Sequence, residues 1–130
     1  MMAHRVRRFA LATGVALAGV ANLAGCAALQ PPRLAAAEPG AAAVLDRFAG
    51  NRCNPVVARA LAGAQIPIAQ VDGLTYGLYR DINTGRIILY DAWVYRTGEP
   101  GAVIVQLDPT CAVRQVYARG GAMLPQAAKP

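Results

Sequence analysis

Three cysteines, Cys26, Cys53 and Cys111, are the most reactive side chains in this 130-residue sequence. There is no serine, the one histidine is His4, and the one lysine is Lys129. Past its first few residues the chain therefore cannot build a Ser-His or Cys-His nucleophile pair, a histidine metal site or a buried Schiff-base lysine. Acid–base work would fall to Glu38, Asp46, Asp72, Asp81, Asp91, Glu99 and Asp108. Asp81 and Asp108 stand beside turn residues, where a short carboxylate bonds its own backbone. Asp91 stands in mid-strand and is expected to pair with Arg80 or another cross-strand arginine. No carboxylate has an evident neighbour of complementary pKa. The expectation is a protein that is not an enzyme and takes no cofactor. Two thiolates without an imidazole also leave a tetrahedral zinc short of ligands, so no metal site is expected.

Cys26 has the most distinctive surroundings. Residues 1–8, MMAHRVRR, form a basic head, and residues 9–21, FALATGVALAGVA, a short apolar run followed by small residues. That order is the order of an export signal. The run falls short of the roughly 20 apolar residues a membrane-spanning helix needs. Loss of residues 1–25 removes Arg5, Arg7 and Arg8 and takes the net charge from +6 to +3. A charge of that size on what remains does not argue for nucleic acid, and export argues against it. The compartment beyond the inner membrane is oxidising. With Cys26 set aside, one intramolecular pairing is left, Cys53 with Cys111. Chain-entropy arithmetic for the long loop between them puts that crosslink at about 4 kcal/mol, a large share for a small domain.

The rest of the chain must position these residues. Residues 26–40, rich in Pro31, Pro32, Pro39 and Gly40, read as a flexible or extended tether. Residues 41–49 read as a short helix with Leu45, Phe48 and Ala49 inward, stopped by Gly50 and Asn51. Asn54-Pro55 reads as the N-cap and first position of a second helix. That helix is expected to run to Ala62 with Val56, Val57, Ala60 and Leu61 inward, and to end at Gly63. Then come four strands: Leu74–Ile82, Arg86–Arg96, Ala102–Leu107 and Ala112–Ala118. The turns between them are Asn83-Thr84-Gly85, Gly98-Glu99-Pro100-Gly101 and Asp108-Pro109-Thr110-Cys111. Residues 120–130 read as a frayed tail. No helical pattern interrupts the strands. The fold class expected is α+β, two short helices on a four-stranded antiparallel meander closed by one disulfide, over residues 41–119.

The second strand is apolar on both faces, with Trp93 and Tyr95 on one and Tyr90 on the other. Helices can cover only one face. Either Tyr90, or Trp93 with Tyr95, is left on an open surface of the kind that binds protein partners. Arg80, Arg86, Arg96, Arg114 and Arg119 could line a basic stripe, but interspersed acids favour a solvated face.

Leu23-Ala24-Gly25-Cys26 resembles the lipobox of bacterial lipoproteins. The resemblance implies cleavage before Cys26 and acylation of that residue by diacylglycerol and an amide-linked chain, palmitate being typical. Several acyl chains hold a protein stably to a bilayer. Ala27, where a retention signal would place Asp, is similar to outer-membrane lipoproteins, which implies anchoring on the periplasmic face of the outer membrane. Two short helices before a meander, with the stretches Asn54–Pro67, Ala92–Arg96 and Val103–Val116, resemble the small SmpA/OmlA-type lipoproteins of outer-membrane protein assembly. That resemblance implies an envelope protein partner and no catalysis. The run Cys53-Asn54-Pro55-Val56-Val57-Ala58 is faintly similar to small periplasmic protease inhibitors. It implies an alternative function, inhibition of a hydrolase or binding of a small ligand.

Overall fold

In a computed structural model the described residues are 32–125. The leader (1–25), the acylation position Cys26, the start of the tether and residues 126–130 lie outside them. The elements are α1 (Ala41–Phe48), α2 (Asn54–Gly63), a 3-10 turn (Ile68–Gln70), β1 (Val71–Arg80), β2 (Ile87–Arg96), β3 (Ala102–Leu107) and β4 (Val113–Arg119). The strands form one antiparallel sheet in the order β1-β2-β3-β4, and both helices lie on one face. The α+β architecture expected from the sequence is the architecture observed.

The core lies between α1, α2 and the side chains of one strand parity. Leu45, Val57, Ala60, Leu61 and Ile66 meet Leu74, Ala92, Val94, Val103, Val105 and Leu107, all buried. Each fully buried Leu, Ile or Val contributes about 1.5–3 kcal/mol relative to exposure. Phe48 is not among them. It is 42% exposed, because α1 ends at Phe48 and the chain leaves through Ala49 in an extended conformation.

The entry and exit of α2 differ from the sequence expectation, each for a local reason. Cys53, not Asn54, is the N-cap, and Pro55 occupies the first turn. The Asn54 side chain is fully buried and points into the domain instead. Its Nδ2 donates to Asp46 Oδ1 at 2.6 Å and to the Ala49 carbonyl at 2.8 Å. Its Oδ1 accepts from the Tyr76 hydroxyl at 2.6 Å. At the other end the helix closes with Gln65 N–H on the Ala62 carbonyl and Ile66 N–H on the Leu61 carbonyl. That is a Schellman closure, with Gln65 in the left-handed region at φ 60 and Ile66 supplying the buried contact. Gly63 serves packing instead of termination. A Cβ there would stand 1.9 Å from the Arg33 carbonyl oxygen.

Residues 33–38, part of the stretch expected as a flexible or extended tether, are laid against α2 and the 3-10 turn. Ala35 N–H donates to the Arg59 carbonyl, and Glu38 Oε1 accepts from Ile68 N–H. The segment after β4 is also held over part of its length. The Arg96 guanidinium donates to the Met123 carbonyl, and Leu124 packs against the core.

The hairpin turns follow the carboxylate logic of the sequence. Asp81 Oδ1 accepts from the N–H of Asn83 and Thr84 and from the Thr84 hydroxyl, while Gly85 takes φ 67. Asp108 Oδ1 accepts from Thr110 N–H, the Thr110 hydroxyl and Ala112 N–H. The backbone donors at the Thr84 turn hold the Asp81 carboxyl below its ordinary value, and the Thr110 hydroxyl does most to lower that of Asp108.

Candidate functional site: the open face of the sheet

Alternation puts residues of the other parity on the face without helices. Register then aligns them in rows: Gly77–Asp91–Gln106–Gln115 and Thr75–Trp93–Ile104–Tyr117. Trp93 and Tyr95 are on this face. Tyr90 is not. It lies on the helix side, edge-on to Tyr76 at 6.4 Å between ring centroids, against the core. Of the two alternatives the sequence left open, the structure therefore exposes the face of Trp93 and Tyr95 and packs Tyr90 against the core.

The open face is anchored on Asp91, which is fully buried although no helix of the described residues covers it. Its neighbours cover it. Tyr79 donates its hydroxyl to Asp91 Oδ2 at 3.0 Å, and Gln106 Nε2 donates to Oδ1 at 3.0 Å. Among the described residues no arginine pairs with it, contrary to expectation. The reason is strand register: Arg80 lies past the end of the row and donates to the Gly85 carbonyl of its own hairpin. The hydrogen bond to Asp91 raises the Tyr79 hydroxyl above its ordinary pKa, and burial does the same for Tyr117. Both hydroxyls stay protonated at neutral pH and available as donors.

Two glycines of β1 shape the rest. A Cβ on Gly73 would meet Tyr95 Cδ2 at 3.2 Å, and one on Gly77 would meet Trp93 Nε1 at 3.5 Å. The two aromatic side chains lie across these glycines, which restricts their rotamers. The Arg119 guanidinium sits 5.7 Å from the Trp93 ring, within cation–π range. Ile104, fully buried, fills the space between Trp93 and Tyr117. The result is a rigid aromatic surface with a positive charge at its rim and a carboxylate beneath it.

The five arginines do not form the stripe the sequence allowed. Arg119 stacks on Trp93. Arg96 is buried on the helix side, paired to Glu99 at 2.5 Å. Arg114 is the extra residue of a bulge in β4, and Arg80 and Arg86 belong to the first hairpin. An open cleft beside that hairpin, lined by Asp81, Thr84, Arg86, Ile87, Ile88 and Pro109, is not enclosed.

Cys53 and Cys111 form the disulfide, with Cα atoms 5.2 Å apart. It ties the start of α2 to the β3–β4 turn, and the Arg52 guanidinium donates to the Pro109 carbonyl beside it. Among the described residues no group of three or more His, Cys, Asp or Glu could hold a metal ion. No helix among them is long and apolar enough to cross a membrane.

Sequence reasoning missed Tyr79, Gln106, Tyr117 and Arg119 as companions of Asp91 and Trp93. Tyr79, Gln106 and Tyr117 fall in expected strands and Arg119 one residue past the expected end of the last, but the strand register, shifted by bulges at Asp72, Ile88 and Arg114, sets which residues share a row.

Fold and face together define a class: a disulfide-closed α+β domain with an aromatic sheet face that the helices of the described residues leave open. No family model matches the chain, and comparison with curated proteins and with solved structures finds no match.

Proposed function

We propose that this chain is a non-enzymatic envelope lipoprotein, held by acyl chains on Cys26 to the periplasmic face of the outer membrane. It binds a protein partner through the open face of its sheet, in outer-membrane assembly or maintenance. The observation that carries the binding surface is an aromatic face on which Tyr79 and Tyr117 flank buried Asp91, with Trp93 and Tyr95 further along β2 and Arg119 over Trp93. Tryptophan, tyrosine and arginine are the residues enriched where interfaces gain most of their energy. Here Trp93 and Tyr95 are already braced over Gly77 and Gly73, so a partner has little rotamer freedom left to freeze. The Cys53–Cys111 bond supports a location outside a reducing cytoplasm. The leader and the Leu-Ala-Gly-Cys motif support the anchor.

The test is site-specific photocrosslinking in intact cells, with the reactive residue at Tyr95 or, as a control, at Phe48 on α1. Both positions are exposed and lie on opposite sides of the domain. Adducts to a discrete envelope protein at 95 and not at 48, weakened by Arg119→Ala, are the expected result. Equal adducts at both positions, or none at 95, overturn the surface. The anchor is checked separately with an alkyne-tagged fatty acid, which should label the wild type and not Cys26→Ser.

A further inference from the structure

Strand β1 is an edge of the sheet. Apart from the Val71 N–H, which donates to the Ile68 carbonyl, none of its residues makes a backbone hydrogen bond outside the β1–β2 ladder among the described residues. At ten residues it is a long free edge, and natural sheets seldom leave such edges unguarded. Its sequence, VDGLTYGLYR, is complementary to itself when reversed about Tyr76. We infer that two copies of this chain pair through β1, antiparallel and two-fold symmetric, with Asp72 facing the partner's Arg80.

In that register every opposed pair is compatible. Asp72 meets the partner's Arg80, Leu74 meets the partner's Leu78, and Tyr76 meets the partner's Tyr76. On the other face Thr75 meets the partner's Gly77, and Gly73 meets the partner's Tyr79. Opposed residues of an antiparallel pair share a face, and a two-fold axis normal to the sheet keeps each face intact. From Gly73 to Arg80 alternation along β1 is unbroken, so the pairs formed over Gly73 to Tyr79 each join two residues of one face. Asp72 is the extra residue of the bulge at the start of β1, and both it and Arg80 are exposed. Leu78 at 49% and Tyr79 at 45% exposure are the large apolar side chains this pairing would cover. The other edge is different. Strand β4 carries Arg114 and Arg119 and no acid, so no self-register of β4 offers a charge pair. One edge is thus fit for isologous pairing and the other protected from it. The dimer is an eight-stranded sheet in which the two Trp93 faces lie side by side. This inference does not rest on the anchor or on the partner surface.

Two tests address it, both on the full chain. In the first, Asp72→Cys with Arg80→Cys should give a covalent dimer on a non-reducing gel, because opposed Cβ atoms in such a pair lie about 5 Å apart. Within one chain the two positions are separated by about 26 Å of extended strand, too far to bridge. Neither single variant should give that dimer. In the second, native mass spectrometry follows a charge series. Asp72→Arg, or Arg80→Asp, should weaken the dimer about 30-fold, from two lost attractions and two new repulsions. The double exchange should recover most of it. A monomeric wild type, no covalent dimer from the double-cysteine chain with its Cys53–Cys111 bond intact, or single-cysteine variants that dimerise equally, overturns the inference. If the cysteine variants fail to fold, the charge series decides: a swapped chain no better than either single variant is equally fatal.

Discussion

Replacing both half-cystines isolates what the crosslink contributes, and the structure lets that contribution be worked out in two parts. The disulfide closes a loop of 58 residues, and its removal frees the unfolded chain by about 4 kcal/mol. The second part has the opposite sign. Cys111 sits at φ 70, in the left-handed region, at the turn position where its N–H meets the Asp108 carbonyl. A residue with a Cβ costs about 1–2 kcal/mol in that conformation, and glycine avoids the cost. Cys53→Ala with Cys111→Ala should therefore lose about 4 kcal/mol, and Cys53→Ala with Cys111→Gly about 3 kcal/mol. For a domain of this size the first variant should melt about 15–30 °C below the oxidised wild type. The assay is urea unfolding followed by the fluorescence of Trp93, the only tryptophan, on the two variants and on wild type with and without reductant. A loss under about 1 kcal/mol would refute the loop-closure argument. A glycine variant no more stable than the alanine variant would refute the account of Cys111.

Other outcomes follow from buried and turn-bound polar groups. Asn54→Ala removes three hydrogen bonds and strands the Tyr76 hydroxyl, whose ionisation burial already opposes strongly. The loss should be about 2–4 kcal/mol in urea unfolding, with part regained by adding Tyr76→Phe; a loss within the scatter of surface substitutions would show that the network is idle. Stability should also fall in acid. Asp81 and Asp108 both have folded values below the ordinary 3.8. Their contribution is therefore complete above that value and is lost as pH drops through the lower folded ones. Thermal midpoints measured from pH 5 to about pH 2 should decline, and Asp108→Asn should make the decline shallower. An unchanged slope in Asp108→Asn would remove that turn from the explanation.

Much of the architecture was legible in the order of residues. Period-two runs bounded by Asn83-Thr84-Gly85 and Asp108-Pro109 marked three of the four strands to within a residue or two. The first strand instead begins at Val71, ahead of the expected Leu74. Cysteine parity, with Cys26 set aside, pointed to Cys53–Cys111, which the structure shows. These are local or combinatorial signals. They depend on neighbouring residues, or on there being one possible pairing.

What stayed illegible depends on contacts between residues far apart in the chain. Alternation divides β2 into two apolar sets without saying which set the helices cover. That choice is made where Leu45, Val57 and Leu61 land, and they land on Val94 and Val103, leaving Trp93 and Tyr95 outside. Asp91 could be read as half of an ion pair until the pairing of β1, β2 and β3 put Tyr79 and Gln106 beside it. Gln65 closes α2 where Gly63 was expected to, because the backbone of Arg33 crosses the helix at the one residue with no side chain. Sequence order settled which segments would be helix or strand and which cysteines would join. Register and packing settled which side chains share a surface, because both are properties of the assembled chain and of no single segment within it.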